Sequence, residues 1–521
     1  MVLGIMAPES KGASVVTTAM NILKVYTGTG LIAYPYATRC GGLWAAPLGL
    51  IIIGFLNNYA IRLLVHSKNI VASTRTGGGD AISFDDVAFA AFGARGRKVC
   101  AVSIVVSLLG ICIAYLIFIG DTVQSAVGLS ADECHAEGAA AAGRHWSCAM
   151  VPRLGSIVVN MWVLIAAPCC CLLSLLRSMA SLSWTSLAGN VALAAVIVVS
   201  LVYAGRRIHT HGGKGTARDD AWAYERVPSF SADTFPVYFG LTVFAYAIQS
   251  VILSMEDVAG PRAKKHFLRI CDAGAVAAVI CYNVFGVVCY AAFGDHTNAI
   301  VLLSLPKTGV VAAVKLAVSL AMLFTFPIQM MPVIEMAERF LRDRRGDARS
   351  TSKVDDRDRF LLGGEGDGAD KALLDNVADG GSRVASSYGG ASGPGIDADI
   401  EGAAGGDDNN IDGGDALFSW RVRISLVLVC VVAALLFGQV FSQVLGLVGS
   451  LGLSLVSFVL PPLCYTKLNG GFGRLARADQ IGVAVVLAVG AVGVVASTVV
   501  EVEQLVAYFA GRNDQCRTSA S

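Results

Sequence analysis

Apolar residues run along this chain in blocks of about twenty or more. Nowhere do they show the in–out alternation of a half-buried strand. A helix needs about 20 such residues to cross about 30 Å of hydrocarbon. Blocks of that size lie at about 14–37, 43–66, 99–127, 154–175, 183–203, 235–258, 272–293, 310–340, 421–441, 444–466 and 480–500. The pattern predicts an all-α polytopic membrane protein with about eleven transmembrane helices and excludes an outer-membrane barrel.

The first block, SVVTTAMNILKVYTGTGLIAYPYA, is interrupted at its centre by Thr27-Gly28-Thr29-Gly30. In hydrocarbon every backbone N–H and C=O must be satisfied, so a helix-weakening glycine pair at mid-membrane belongs where it lines a cavity or a site. An unwound stretch there leaves free N–H groups at the start of the second half-helix, whose positive dipole end suits a carboxylate. The alternative is a pair of glycines that only lets neighbouring helices pack closely. In transporters built from inverted repeats, broken helices occur at matching positions in both halves. A break in segment 1 therefore predicts one in segment 6, FPVYFGLTVFAYAIQSVILSMEDVAG. That segment has no central glycine, but Gln249-Ser250 falls near its middle. Buried polar residues in a span are either a site or interhelical glue, and both readings stand.

Composition fits this class. Of 521 residues 55% are hydrophobic and 15% charged, with mean hydropathy +0.63, well beyond a soluble average. The net charge of +1, with no basic stripe interleaved with aromatics, gives no ground for nucleic-acid binding. No separate charged and apolar leader precedes the first block, which is expected to act as its own insertion signal. Arginine and lysine concentrate in alternate loops: Arg95, Arg97 and Lys98; Arg177; Arg262, Lys264, Lys265 and Arg269; Arg339 to Arg345; Lys467, Arg474 and Arg477. This distribution places the N-terminus in the cytoplasm, with loop 204–227 dissenting.

Four regions follow: residues 1–342 with segments 1–8, an insert at 343–418, segments 9–11 within 419–510, and a tail at 511–521. The insert is rich in Gly, Asp and Ser, a composition that cannot bury enough apolar surface to order itself, and is expected to be a disordered acidic cytoplasmic loop. Within it DRFLL (358–362) and DKALL (370–374) are similar to acidic-dileucine sorting signals, a pattern that also arises by chance. Cys134 and Cys148 share the loop after segment 3; they form a disulfide if that loop meets an oxidising compartment, or remain free thiols. No CxxC pair or histidine cluster has metal spacing, and no P-loop, HExxH or nucleophile elbow is present. Neither an enzyme nor an ATP-driven pump is expected.

Several segments together resemble the amino acid/auxin permease family, a branch of the APC superfamily. They are NILKVYTGTGLIAYPYA with GGLWAAPLGL, Cys112-x-x-Tyr115-x-x-Phe118-x-x-Asp121, VFAYAIQSVILSMED with Gly260-Pro261, Phe326-Pro327-x-Gln329-x-x-Pro332-x-x-Glu335, and SFVLPPLCYTKL. Within it, the proton-coupled amino acid transporters and the vesicular inhibitory amino acid transporter are the most similar branches.

The resemblance implies a LeuT-like 5+5 inverted repeat with helices 1 and 6 broken. It also implies secondary active transport of amino acids, by proton symport or with sodium as the coupling ion, and no cofactor. The membrane is plasma, vacuolar or lysosomal. By position, Thr27, Gly28, Thr29, Gly30 and Leu31 would offer backbone groups to the substrate carboxylate, and Tyr115 a hydroxyl. Phe244, Tyr246, Ala247, Gln249 and Ser250 would surround the amino group and side chain. Two departures stand out. A histidine that the proton-coupled branch carries three residues before the segment 1 lysine is Asn21 here, which does not titrate, and the Glu-Gly of its segment 6 is Ala247-Ile248.

Proton-coupling candidates are then Asp121, Glu256 and Glu335, each equally readable as an interfacial anchor. Lys24 either snorkels towards the cytoplasm or is paired, and Lys315 is read as interfacial. The rival reading is an amino acid sensor that keeps the site, transports little, and uses the acidic insert to contact partners.

Overall fold

The computed structural model describes residues 13–26, 28, 30–74, 82–127, 146–175, 183–211, 230–246, 248–345, 413–438 and 440–510. Among them regular structure is helical; the only β-type contact is an isolated bridge between Ala13 and Ala259. The Cα packing divides the chain into two units, residues 1–336 with 423–521, and residues 337–422.

Segment 1 is two helices, α1 (Val15–Tyr26) and α2 (Gly30–Gly41). Next come α3 (Ala45–Thr74), α4 (Phe84–Val127), α5 (Trp146–Leu175) and α6 (Ser183–His211). Segment 6 is again a pair, α7 (Phe235–Tyr246) and α8 (Gln249–Val258). The short α9 (Pro261–Lys265) turns the chain into α10 (Phe267–Phe293), followed by α11 (Gly309–Arg345) and α12 (Gly413–Phe437). Segment 10 starts as α13 (Phe441–Leu447), passes through two π-helical stretches, Val448–Leu453 and Leu455–Val459, and ends as α14 (Leu460–Leu468). The last helix is α15 (Arg477–Phe509).

Nine helical stretches among the described residues are long and apolar enough to cross a membrane. The other two expected segments are the pair α1–α2, whose halves are 12 residues each, and α5, whose apolar part runs over Met161–Leu175. The helix of segment 3 starts earlier than the apolar block. Ser83 begins it: its backbone N–H and its hydroxyl both donate to Asp86 Oδ2, at 3.2 and 2.8 Å, a capping arrangement. Gly93, at φ 63°, then kinks it, so an amphipathic lead and the membrane-length part meet at an angle that only glycine adopts freely. The insert is shorter at both ends than composition suggests, because α11 continues to Arg345 and α12 starts at Gly413.

Burial sorts the helices by role. Of an 18-residue apolar window in each, 82% is buried in segment 6 and 78% in segment 10, against 22% in α15. Segments 6 and 10 are therefore central, and α15 with its exposed Ile481, Val492, Val495 and Val506 offers its apolar surface outward, as a lipid-facing helix does. Within the smaller unit, Ser419 donates to the Glu338 carboxylate at 2.6 Å. The insert 346–412, with both DxxLL patterns, lies outside the described residues, as do Cys134 and the side chain of Cys148.

Candidate functional site

The two breaks lie side by side. At the first, α1 ends at Tyr26 and α2 begins at Gly30, with Leu31 N–H donating to the Gly28 carbonyl at 3.2 Å. At the second, α7 ends at Tyr246 and α8 begins at Gln249, with Val251 and Ile252 N–H donating to the Ile248 carbonyl at 3.0 and 3.1 Å. Gly30 makes the juxtaposition possible: a Cβ there would sit 2.7 Å from the Ala245 Cβ, closer than real Cβ contacts come. Gly28 is different. A Cβ there would meet only the Val25 carbonyl, at an ordinary 3.5 Å, so this position has room for a side-chain atom. Across the pair, the rings of Tyr26 and Tyr246 stand 4.8 Å apart.

A helix that stops inside a membrane leaves its last carbonyls without intrahelical partners. One side chain serves both breaks. The Tyr282 hydroxyl on α10 lies 2.8 Å from the Tyr26 carbonyl and 3.0 Å from the Ala245 carbonyl, and its single proton can be given to either. Asn57 Nδ2 on α3 reaches the Tyr246 carbonyl at 3.4 Å, and the Tyr246 hydroxyl donates to the Ala275 carbonyl at 2.5 Å. Each carbonyl has a second lone pair. The ends of α1 and α7 are thus held in place while keeping acceptor capacity of the kind an ammonium group uses.

Gln249 is engaged on three sides. Its Nε2 donates to Asn57 Oδ1 at 2.6 Å, while its Oε1 accepts from Ser457 Oγ at 2.8 Å and from Ile248 N–H at 3.0 Å. With Gln249 and Asn57 each 1% exposed and Ser457 wholly buried, the network ties α3, α8 and the second π-helical stretch. It also satisfies the N–H that the break orphans, since Ile248 has no side-chain cap of its own. Of the two readings open for Gln249, these partners are those of interhelical bonding.

Leu31, Tyr115 and Phe244 are buried, and Ser250 is half-buried. The first π-helical stretch runs directly against the end of α7, where a Cβ on Gly449 would lie 3.0 Å from Phe244 N. On the other side it packs on α4: a Cβ on Gly110 would lie 3.4 Å from Val448 Cβ. Such π-helical turns, energetically poorer than α, concentrate at functional positions. Thr27, Thr29 and Ala247 lie outside the described residues, as does the Lys24 side chain.

The coupling candidates are placed unlike one another. Glu256 is ion-paired to Lys68 Nζ at 3.2 Å, and Asp257 pairs with the same ammonium. Lys68, 7% exposed, thereby locks the end of α3 to the end of α8. At the same face Ala13 N–H donates to Val258 O, and Gly260 N–H to Ala13 O, both at 2.9 Å, so the start of segment 1 is stitched beneath segment 6. Asp121 is half-buried on α4, and Glu335 is exposed on α11. Lys315, six residues into α11, is 1% exposed and donates to Ser125 Oγ at 2.8 Å, one turn beyond Asp121.

Sequence reading passed over five residues that the fold makes central: Asn57, Lys68, Tyr282, Ser457 and Glu501. Glu501 on α15 is a wholly buried carboxylate against Gly446. The Asn57-Asn58 pair, polar inside an apolar block, was a usable signal for a site. Tyr282 and Ser457 carried none, because a tyrosine or serine in a span is ordinary. Among the described residues no group of three or more His, Cys, Asp or Glu is placed to hold a metal.

A family model described as "Transmembrane amino acid transporter protein" matches residues 11–500. The chain is similar to the amino acid transporter ANT1 of Arabidopsis thaliana, at 26% identity over 63% of this chain and 68% of that protein. It is likewise similar to the amino acid transporter AVT3B of the same plant, at 27% identity over 62% of this chain and 71% of that protein. With the vacuolar amino acid transporter 3 of Schizosaccharomyces pombe it shares 26% identity over 62% of its length, and spans 43% of that relative.

Proposed function

The chain belongs to the transmembrane amino acid transporter family, and from that premise we propose that it is a secondary active carrier of amino acids, driven by a proton gradient and working by alternating access. The single observation that carries this reading is the pair of adjacent helix breaks, with Tyr282 spanning the carbonyl ends of both. A zwitterionic amino acid needs an acidic and a basic partner within a few ångströms. The restart of α2 offers backbone N–H groups and a positive dipole end to the carboxylate. The spare lone pairs at Tyr26, Ala245 and Tyr246 offer acceptors to the ammonium. The substrate backbone sits at Gly28.

In this reading Gln249 positions the break of segment 6 through Asn57 and Ser457, and substrate side chains are sorted by Phe244 and Tyr115 instead. Transport requires that the face closed by Lys68, Glu256, Asp257 and the Ala13 bridge open while the opposite face shuts. The two halves of the membrane domain are read as inverted repeats of five helices, the arrangement in which broken helices pair in this way. For the coupling proton, Asp121 and Glu501 are the acids whose burial allows a change of charge to matter, whereas Glu256 is held by Lys68 and Glu335 is exposed. The vacuolar membrane is the proposed location, in line with relatives named as vacuolar amino acid transporters.

The test is uptake of a labelled amino acid mixture into proteoliposomes under an imposed pH gradient and, separately, a sodium gradient. Uptake that follows the pH gradient and is abolished by Gly28→Leu in a protein of unchanged melting temperature is expected. Sodium-dependent uptake would replace the proton as coupling ion. A folded protein that binds amino acids and moves none under either gradient would overturn transport in favour of a sensor.

A further inference from the structure

A cavity of about 460 Å3 lies at the closed face, between the inner end of α3, α9 and the start of α10. Its volume is in the about 300–1,000 Å3 range of small-molecule sites. Arg62, Lys264, Lys265 and Arg269 line it, facing two carboxylates, Glu256 and Asp272. Both carboxylates are already neutralised. Glu256 belongs to the Lys68 pair, and Asp272 accepts from Arg62 at 2.5 Å and from Asn58 at 2.6 Å. Lys264, Lys265 and Arg269 are exposed and take part in no ion pair among the described residues. Three cations thus converge on a concave site with no anion of the protein's own to hold.

The backbone adds to this. The 27-residue helix α10 starts at the cavity wall, and its N-cap, His266, makes no side-chain hydrogen bond to the first turn. Phe267, Leu268 and Arg269, the first turn of this helix, line the same cavity as the three cations, so the positive end of the helix lies at that space. The basic loops assign this face to the cytosol, where phosphorylated headgroups are presented, and basic pockets between transmembrane helices on that side suit them.

We propose that this cavity binds a clustered phosphomonoester anion, of the kind carried by a phosphorylated inositol headgroup, with Lys264, Lys265, Arg269 and the first turn of α10 as its ligands. The site is separate from the helix breaks and does not depend on transport.

The experiment measures binding to the full-length protein in nanodiscs. One set carries phosphatidylinositol bisphosphate; a second carries phosphatidylserine at matched total charge. A third arm adds soluble inositol hexakisphosphate to the detergent-solubilised protein. Saturable one-to-one binding is expected, weakened at least tenfold by the combined Lys264→Gln, Lys265→Gln and Arg269→Gln variant. A control variant with Lys467→Gln, Arg474→Gln and Arg477→Gln, which removes equal charge outside the cavity, should bind as the parent does. Binding confined to the first nanodiscs identifies a lipid as the source, and binding of the soluble polyphosphate as well identifies a free phosphate ligand. Equal affinity for phosphatidylserine, or equal loss in both variants, would reduce the effect to diffuse surface electrostatics and overturn the proposal. The substituted side chains are exposed, and an unchanged melting temperature verifies that the variants fold.

Discussion

The two helix breaks reach the same result by different routes. In segment 1 the chain carries its own instruction: Gly28 and Gly30 weaken the helix, one leaving room for a side-chain atom and the other letting Ala245 approach. In segment 6 there is no such glycine. Ala247 and Ile248 are acceptable helix formers, and the helix stops because other elements take over its hydrogen bonds. Gln249 captures the Ile248 N–H, Asn57 contacts the Tyr246 carbonyl, and Tyr282 contacts Ala245. A discontinuity in a membrane helix can thus be encoded locally, by backbone freedom, or at a distance, by partners that satisfy the broken ladder.

This difference can be broken experimentally. The largest expected effect is at the lower anchor of segment 6. Lys68→Met leaves Glu256 and Asp257 without their shared ammonium, and removing one partner from a buried ion pair costs about 3–5 kcal/mol. The expected outcome is a clear fall in melting temperature, with cysteine labelling gaining access from the Ala13–Gly260 face. Restoration by Lys68→Arg would show that charge and not volume is at stake.

Gln249→Leu attacks the remote encoding itself. It removes the Gln249 partner of Asn57 Oδ1, Ser457 Oγ and the Ile248 N–H at once, a loss of about 2–4 kcal/mol given that polar bonds in membranes average well below their nominal worth. Thermal unfolding in detergent should register it. A variant that melts like the parent would mean that segment 6 breaks for another reason.

Gly30→Ala probes the local encoding and should cost about 1–3 kcal/mol through overpacking against Ala245. Gly28→Ala should change stability by less than about 0.5 kcal/mol, since its Cβ has room. The two glycines are separated by a single residue and opposite in role, and equal effects from both would remove the distinction between them. Tyr282→Phe should cost about 1 kcal/mol for one hydroxyl, less than the substitutions at Lys68 and Gln249. Because that hydroxyl serves both breaks, its loss should lower substrate affinity in uptake assays more than it lowers the melting temperature.

Much of the fold was legible because the bilayer imposes a coarse rule. Every apolar block of about twenty residues has a helical counterpart in the structure, from Val15 to Phe509. The breaks were partly legible. TGTG marks the first directly, while Gln249-Ser250 marks the second only through its position and polarity, three residues past the end of α7 and at the start of α8. The kink at Gly93 and the helical lead from Phe84 escaped, because a hydropathy window stops where charge begins even when hydrogen bonding continues.

By itself, the sequence determined that this is a helical membrane protein, where its spans lie, and that the first is broken, since hydrophobic length and glycine content act over a few turns of one helix. Only the tertiary structure decided which partners Gln249 bonds, which carbonyls Tyr282 reaches, that Lys68 pairs with Glu256, and that Glu501 is buried. Those assignments depend on partners up to 256 residues apart, as between Tyr26 and Tyr282. The cost of leaving a polar group unsatisfied in hydrocarbon is what brings such partners together, and no local pattern records which of them will meet.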